Sequence, residues 1–343
     1  MSTRKTMVHV IAGAERSKSM QYDLAIIGSG AAGLGAALYA GRYRMKVLVV
    51  GKEFGGETAK AGMIENYPGV PAVDGYELMG VMKKQAAALG VEFISAEATG
   101  ATRQEHCFEV AANKTTYQAH HIIFATGAER RRLGLPNENE LTGRGIHYCV
   151  TCDGPVYGGK TIAMVGGGDA SVKGAVLAAE YAAKLFLIVR GKEVSAEPIN
   201  LEKMKSLGSK IEVIPETEVK EIIGEKMLEK VRLSRPYNGS EELVIDGLFV
   251  EVGAIPNIEL AKMLGVELDE RGYVKVDNMM QTNIDGVFAA GDAVNHFGAF
   301  KQDITAAAMG AVAATSAYND HKVHGDLCAY HSMPPQQALN TTS

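Results

Sequence analysis

Twice in this chain an apolar run of strand length breaks into a glycine-rich turn and then opens into a helix of small residues. Tyr22 to Ile27 leads into Gly28-Ser29-Gly30-Ala31-Ala32-Gly33, a helix predicted through Arg42, and a second strand over Lys46 to Val50. Thr161 to Val165 leads likewise into Gly166-Gly167-Gly168-Asp169-Ala170-Ser171, a helix predicted to about Lys184, and a strand over Leu185 to Val189. A strand that reaches its parallel neighbour through a helix forms a right-handed crossover. Two such units predict an α/β chain with two Rossmann-like dinucleotide-binding domains.

A pyrophosphate needs a tight bend, a close backbone approach and a helix N-terminus aimed at it, and Gly28, Gly30 and Gly33 are spaced for those tasks. The acid that commonly ends the second strand is displaced, because Val50 is followed by Gly51 and Lys52 before Glu53. With Ser29, Ala31 and Ala32, these residues form the first candidate nucleotide site.

Gly134-Leu135-Pro136-Asn137-Glu138-Asn139-Glu140 is polar and rich in breakers, which marks a passage between domains. The return is expected at Gly253-Ala254-Ile255-Pro256-Asn257, after which a further apolar strand, Gly286 to Ala290, runs into Gly291-Asp292. The second domain is therefore expected to be inserted into the first. The division is a disordered leader over 1–20, a discontinuous first domain over 21–133 and 258–320, an inserted domain over 134–257, and a tail over 321–343. The leader carries Arg4, Lys5, Arg16 and Lys18 around the apolar run Met7 to Ala14, and is read as disordered in preference to a signal peptide.

Lys and Arg total 35 against 40 Asp and Glu, a net charge of −5, so there is no electrostatic reason to expect nucleic acid or an acidic membrane as partner. The most apolar stretch, Leu24 to Ala40, is interrupted by four glycines and suits a strand and helix better than a membrane span. The cysteines are Cys107, Cys149, Cys152 and Cys328, too sparse for a secreted disulfide framework and in keeping with a reducing, cytoplasmic compartment.

Cys149-Val150-Thr151-Cys152 then needs a chemical reason. Two sulfurs at this spacing reach one disulfide and suit reversible two-electron oxidation. The alternative is half of a zinc site, which requires a second ligand pair. Cys107 and Cys328 stand alone in the sequence, and His120-His121 lie in a predicted strand where neighbours face opposite ways, so no metal is expected.

The block Cys149 to Gly154, together with the first glycine loop, resembles the low-molecular-weight thioredoxin reductases, and the likeness runs from about Gln21 to about Tyr318. It implies FAD as cofactor. Gly55-Gly56-Glu57-Thr58 and Asn66, within Glu65-Asn66-Tyr67-Pro68-Gly69, resemble the segments that line the flavin in that family, with Glu57 standing where Gln is usual. Thr126 and Gly127, in Ala125-Thr126-Gly127-Ala128, resemble the strand end on the adenine side. Gly291-Asp292 resembles the segment whose Asp accepts from the ribityl chain, and Lys301-Gln302-Asp303-Ile304 the one whose backbone reaches the pyrimidine edge. Taken singly, each also reads as an ordinary strand end or helix cap.

By the same resemblance Cys152 is the flavin-side sulfur, Cys149 the interchange sulfur that attacks a thioredoxin-like partner, and Asp153 the acid/base for the departing thiol, although an Asp here also suits a plain turn. His147 is read as an exposed loop residue without a role, and Cys328 as an ordinary thiol. A homodimer is the family expectation, as is a swivelling inserted domain with hinges near Gly134 and Gly253.

The likeness weakens at the second loop, Gly166 to Ser171. Family members that use NADPH follow it with several arginines around the ribose phosphate, whereas Val189, Arg190, Gly191 and Ser195 stand here and only Arg190 survives. Lys192 is a point charge without a guanidinium's fork. An NADH site calls for an acid where Val189 stands, and Glu193 lies four residues on. NADP(H) is thus expected to be a poor donor, leaving NAD(H), reduced ferredoxin or a deazaflavin. The competing functions are an FAD-dependent dithiol oxidase that uses oxygen, and a flavin redox sensor without turnover.

Overall fold

The structure is a computed structural model that describes residues 20–104, 107–298 and 300–324. The leader ahead of Met20, the residues after His324 and the expected thiol at Cys328 lie outside the described residues.

Strand Met20–Ile27 pairs in parallel with Val47–Val50 on one side and Thr115–Phe124 on the other. Leu24, Ala25 and Ile26 are all fully buried, which explains a continuous apolar run in place of alternation: both faces of a parallel strand are covered. Glu92–Ile94 and Val287–Ala289 add in parallel, while Phe108–Ala112 and Ala98–Arg103 add antiparallel, giving seven strands.

Helix Ala31–Arg42, which opens the first glycine loop, packs backbone to backbone on helix Asp303–His324. A Cβ on Gly310 would stand 2.0 Å from the carbonyl oxygen of Ala32, and one on Gly35 would stand 2.5 Å from that of Ala307. This contact fixes the start of the long helix beside the loop.

The inserted sheet has five parallel strands in the order Ile146–His147, Gly247–Val250, Thr161–Val165, Lys184–Ile188 and Ile211–Ile214. A three-stranded antiparallel sheet, Val219–Ile223, Lys230–Tyr237 and Ser240–Val244, flanks it. The helix after the second loop stops at Tyr181 and not near Lys184, because Lys184 already pairs with Thr161 as strand. The buried apolar residues follow the same split, one cluster drawn from residues 22–125 and 261–317 and two from 141–250.

The chain passes out along Ala128–Arg130 and back along Ala254–Pro256, and these two segments pair antiparallel. The polar stretch from Gly134 is an ordered turn built on Glu138, which is only 2% exposed. Its carboxylate accepts from the amides of Leu133 at 2.8 Å and Gly134 at 2.7 Å, and from the Tyr148 hydroxyl at 2.7 Å. The polar residues after Tyr318 remain helical through His324, held by Tyr318 stacked on Tyr43 at 4.4 Å and by Asp320 bonded to His121 at 2.8 Å.

Candidate active site

The first glycine loop divides its work. Gly28 has φ of +113° and a Cβ there would stand 2.0 Å from the Ala125 carbonyl oxygen; a Cβ on Gly33 would stand 2.0 Å from the Gly28 carbonyl oxygen. Both are required by the fold itself. Gly30 differs, since its nearest neighbour would be the Gly55 carbonyl oxygen at 3.7 Å. It caps helix Ala31–Arg42 without a side-chain hydrogen bond, so the amides of the first turn face open space at the positive end of the helix. That is a cradle which a methyl group would fill, and it fits a pyrophosphate. Ala31 and Ala32 are buried beneath it.

Segment 51–58 closes over this loop. Gly51 leaves room for the Ser29 hydroxyl, which donates to the Glu53 carbonyl at 2.9 Å, and the Gly55 amide donates to the Ser29 carbonyl at 3.1 Å. The Glu53 carboxylate is held by Lys60 at 2.5 Å, a contact that lowers its pKa, while Lys52 pairs with Glu97 at 2.9 Å. Glu57 faces Lys60 at 3.2 Å and Arg130 at 3.1 Å, so the residue that departs from the family pattern forms an ionic contact with the crossing strand.

The distant candidates converge. Thr58 donates to Asp303 at 2.5 Å, and Asn66 donates to Gln302 at 3.0 Å across 236 residues. Asp292 and Asp303 are both pushed up by burial, with Lys301 opposing this at Asp292 and the Thr58 bond opposing it at Asp303. Lys301 donates to the Val294 carbonyl and lies 4.4 Å over the Tyr273 ring, and burial lowers its pKa. Thr126 and Asn257 exchange hydrogen bonds at 2.5 and 3.1 Å, and the Asn257 amide donates to the Gly127 carbonyl at 3.0 Å, which joins the strand end to the returning chain. Gly291 has φ of +75° and packs on Ala32, and Ile304 lies one residue into the long helix.

At the second loop a Cβ on Gly166 would stand 2.3 Å from the Glu251 carbonyl oxygen, and one on Gly167 would stand 2.6 Å from Val189, whereas Gly168 has open space. Gly168 caps helix Asp169–Tyr181 without a side-chain bond. Asp169 accepts from the Glu197 amide at 3.0 Å and from Asn200 at 2.8 Å; Ser171 donates to the Gly168 carbonyl at 2.7 Å and Ala170 sits between them in the first turn. Val189 is buried against Gly167, and Arg190 is exposed at the rim with Glu193, Glu218 and Lys220, the last two paired at 2.6 Å.

This loop and Asn66, Gln302 and Asp303 line one cleft of about 1830 Å³ between the domains. Cys149 lines its edge. Cys149 and Cys152 form a disulfide with Cα atoms 5.3 Å apart. Cys149 is the N-cap of the short helix Val150–Asp153, and its sulfur accepts from the Cys152 amide at 3.2 Å. Such an amide favours negative charge on sulfur. Cys152 is the more exposed of the two. Cys107, which stands alone in the sequence, is buried and is itself disulfide-bonded.

Two features escape sequence reading. His147 is not an exposed loop residue: it is 7% exposed at the end of a parallel strand and stacks on Phe249. Its Nδ1 lies 3.1 Å from Asp153 and its Nε2 2.7 Å from the Tyr157 hydroxyl. Burial and the charges of Asp153 and Asp246 push Tyr157 up to about 12. The Asp153 carboxylate can only accept, so the Nδ1 proton faces it, and in that tautomer Nε2 accepts from the Tyr157 hydroxyl. The spacing of six residues between His147 and Asp153 carries no periodic signal, and only the fold joins them. The second is Arg130-Arg131-Arg132, a visible run that enters the cleft lining. Arg130 pairs with Glu57 and Glu251, Arg132 with Asn139 at 2.6 Å, and Arg131 donates to the Ala254 carbonyl at 3.5 Å.

The family described as pyridine nucleotide-disulphide oxidoreductase matches residues 22–315. A thioredoxin reductase from Mycolicibacterium smegmatis is 39% identical over 86% of this chain and 95% of its own length, and one from Treponema pallidum is 36% identical over 86% and 96%. The crystal structure of T. acidophilum thioredoxin reductase superposes with a TM-score of 0.82 at 34% identity, covering 89% of this chain and all of that one. That of Lactococcus lactis thioredoxin reductase in its FR conformation also gives 0.82 at 34%, covering 87% and 98%. Two nucleotide folds, one inserted in the other's path, and a sulfur pair at their cleft thus have full-length counterparts, and the chain belongs to the low-molecular-weight thioredoxin reductases, flavin-dependent disulfide oxidoreductases of the pyridine nucleotide-disulphide family.

Proposed function

We propose that this chain moves an electron pair from a donor, through FAD, to the Cys149–Cys152 disulfide and on to the disulfide of a thioredoxin-like protein. The observation that carries the reading is that disulfide, presented on a short exposed helix at the edge of a cleft which also holds a second nucleotide loop. FAD would be held by Gly28 to Gly33 at its pyrophosphate, with Asn66, Asp292 and the backbone of Lys301 to Ile304 toward the ring, and when bound it supplies a two-electron carrier.

Opening the Cys149–Cys152 bond takes two electrons and two protons and yields two thiols. Asp153, held by the His147 Nδ1 proton, stands within one residue of Cys152 to exchange the proton there. The Cys152 amide favours the thiolate at Cys149, which attacks the partner's disulfide and releases one partner thiolate. Cys152 then attacks the Cys149 sulfur, the intramolecular bond re-forms and the second partner thiol leaves. In the present arrangement the second glycine loop shares the cleft with Gln302 and Asp303, and Cys152 faces solvent. Presenting the pair to the flavin requires rotation of the inserted domain about the paired crossing segments.

NADPH is proposed to be a poor donor. At the strand end Arg190 stands beside the acids Glu193 and Glu218, while Arg130, Arg131 and Arg132 of the same cleft are engaged by Glu57 and Glu251, the Ala254 carbonyl and Asn139, so there is no multidentate clamp for a phosphate dianion, and buried Val189 leaves no acid for ribose hydroxyls. Anaerobic flavin absorbance with NADPH, NADH and reduced ferredoxin tests the donor, and rapid bleaching by one equivalent of NADPH sinks this part. Replacement of Cys149 by Ser tests the route: disulfide reduction is lost while donor-driven bleaching persists. Retained thioredoxin reduction by that variant overturns the relay.

A further inference from the structure

The sheet of the first domain brings together, far from the cleft, three side chains that the redox chemistry does not use. Asp23 lies on strand Met20–Ile27, and His120 lies on its parallel neighbour Thr115–Phe124, where Tyr22 faces Ala119 and Leu24 faces His121. Asp23 and His120 are therefore neighbours across the register. Helix Asp303–His324 brings His321 over them with its last turn. One ligand atom from each of Asp23, His120 and His321 lies within 4.8 Å of the others.

The spacing is that of a metal centre. Zinc–nitrogen bonds of about 2.0–2.1 Å at tetrahedral angles set two imidazole nitrogens roughly 3.3 Å apart. Nδ1 of His120 and Nδ1 of His321 are 3.3 Å apart. Asp23 supplies the third ligand atom, a carboxylate oxygen that lies within 4.8 Å of one nitrogen of each imidazole. That carboxylate is oriented from behind, because its Oδ2 accepts from the Lys46 amide at 2.7 Å.

An outer layer is present as well. His121 Nδ1 lies 3.1 Å from the Asp23 carbonyl oxygen, and its Nε2 lies 2.8 Å from Asp320. Asp320 also meets His324 at 3.0 Å, so the helix turn that carries His321 is held on both sides. Metal sites depend on such outer partners to orient their ligands. His120 is 6% exposed and His321 is half-buried, which gives one side of the site a dry wall.

We propose that Asp23, His120 and His321 form a binding site for a divalent transition metal of the zinc class, closed by one water. Two imidazoles and one carboxylate are a borderline donor set that favours zinc over magnesium or calcium, which take oxygen. Asp23 precedes Gly28 by five residues, about 16 Å of strand, so the metal clamps the end of the long helix to the sheet without touching the redox centre.

The test uses the flavin-loaded protein, chelator-stripped and kept oxidised so that Cys149 and Cys152 remain a disulfide. Equilibrium dialysis against zinc with elemental analysis is expected to give one equivalent per chain, with a rise in melting temperature. His321→Ala is expected to weaken binding by roughly tenfold or more, since even outer partners cost about 10–100-fold. Asp23→Asn is expected to do the same, and both variants should keep wild-type flavin content and thioredoxin reductase turnover without metal. No bound equivalent overturns the proposal, as does an equivalent that survives both substitutions or that disappears in the Cys149→Ser, Cys152→Ser double variant.

Discussion

Glu251→Gln should make the protein more stable above neutral pH. Glu251 follows strand Gly247–Val250, its side chain only 8% exposed, and it meets Arg130 of the outgoing crossing strand. Burial outweighs the guanidinium, and with Glu57 adding its negative charge the carboxyl is pushed up to about 7. An acid raised in this way contributes stability that is complete below its unfolded value of 4.5 and is lost as pH rises through about 7. At about 1.4 kcal/mol for each tenfold change in proton affinity, the loss comes to about 3 kcal/mol.

Gln copies the protonated acid in shape and has no proton to lose. Wild type and variant should therefore agree near pH 4, below the unfolded value, and the variant should be the more stable by up to about 3 kcal/mol at pH 8. Arg130 keeps Glu57 as partner in the variant, so no guanidinium is stranded. Urea denaturation followed by far-ultraviolet circular dichroism at several pH values between 4 and 8 measures this. Parallel pH profiles for the two proteins would refute the reasoning, because Glu251 would then titrate alike in the folded and unfolded chain.

Gly30→Ala should fold normally and emerge without its yellow cofactor, since the added methyl meets only ordinary contact at 3.7 Å; Gly28→Ala, with a 2.0 Å clash, should fail to accumulate as soluble protein. Absorbance at the flavin band and soluble yield separate the two. His147→Gln should slow thioredoxin reduction by roughly tenfold to a hundredfold and shift its pH profile, with donor-driven flavin bleaching unchanged; a full general acid is worth about 100–10,000-fold. An unaltered profile would remove His147 from the proton path. Lys203→Ala breaks an exposed pair with Glu65, 2.6 Å long, that spans the domains, and should change stability by less than about 1 kcal/mol. A larger change in the denaturation midpoint would show that the pair restrains the inserted domain.

Local chain patterns made both βαβ units legible, because a buried parallel strand, a glycine turn and a small-residue helix each mark a few consecutive residues. The sulfur pair was legible for the same reason. Burial created by distant segments was not. His147 looked exposed because the wall that covers it, Phe249, arrives a hundred residues later on another strand. His120 was judged only against His121, while its partner His321 is 201 residues away on a helix that looked like the start of a tail. Gly134 to Glu140 looked like a linker because its polar composition hides a buried carboxylate with amide donors. The crossing was read from Gly253 to Asn257 on the return side, but its mate Ala128–Arg130 is too short to carry a period of its own.

Because Ala128 faces Pro256 and Arg130 faces Ala254 in one ladder, both necks of the inserted domain emerge side by side, about 4.8 Å apart. A two-residue hairpin turn spans that gap. The flavin half can thus be closed on itself after excision, and the excised half can be grafted through the same pair of ends into a relative.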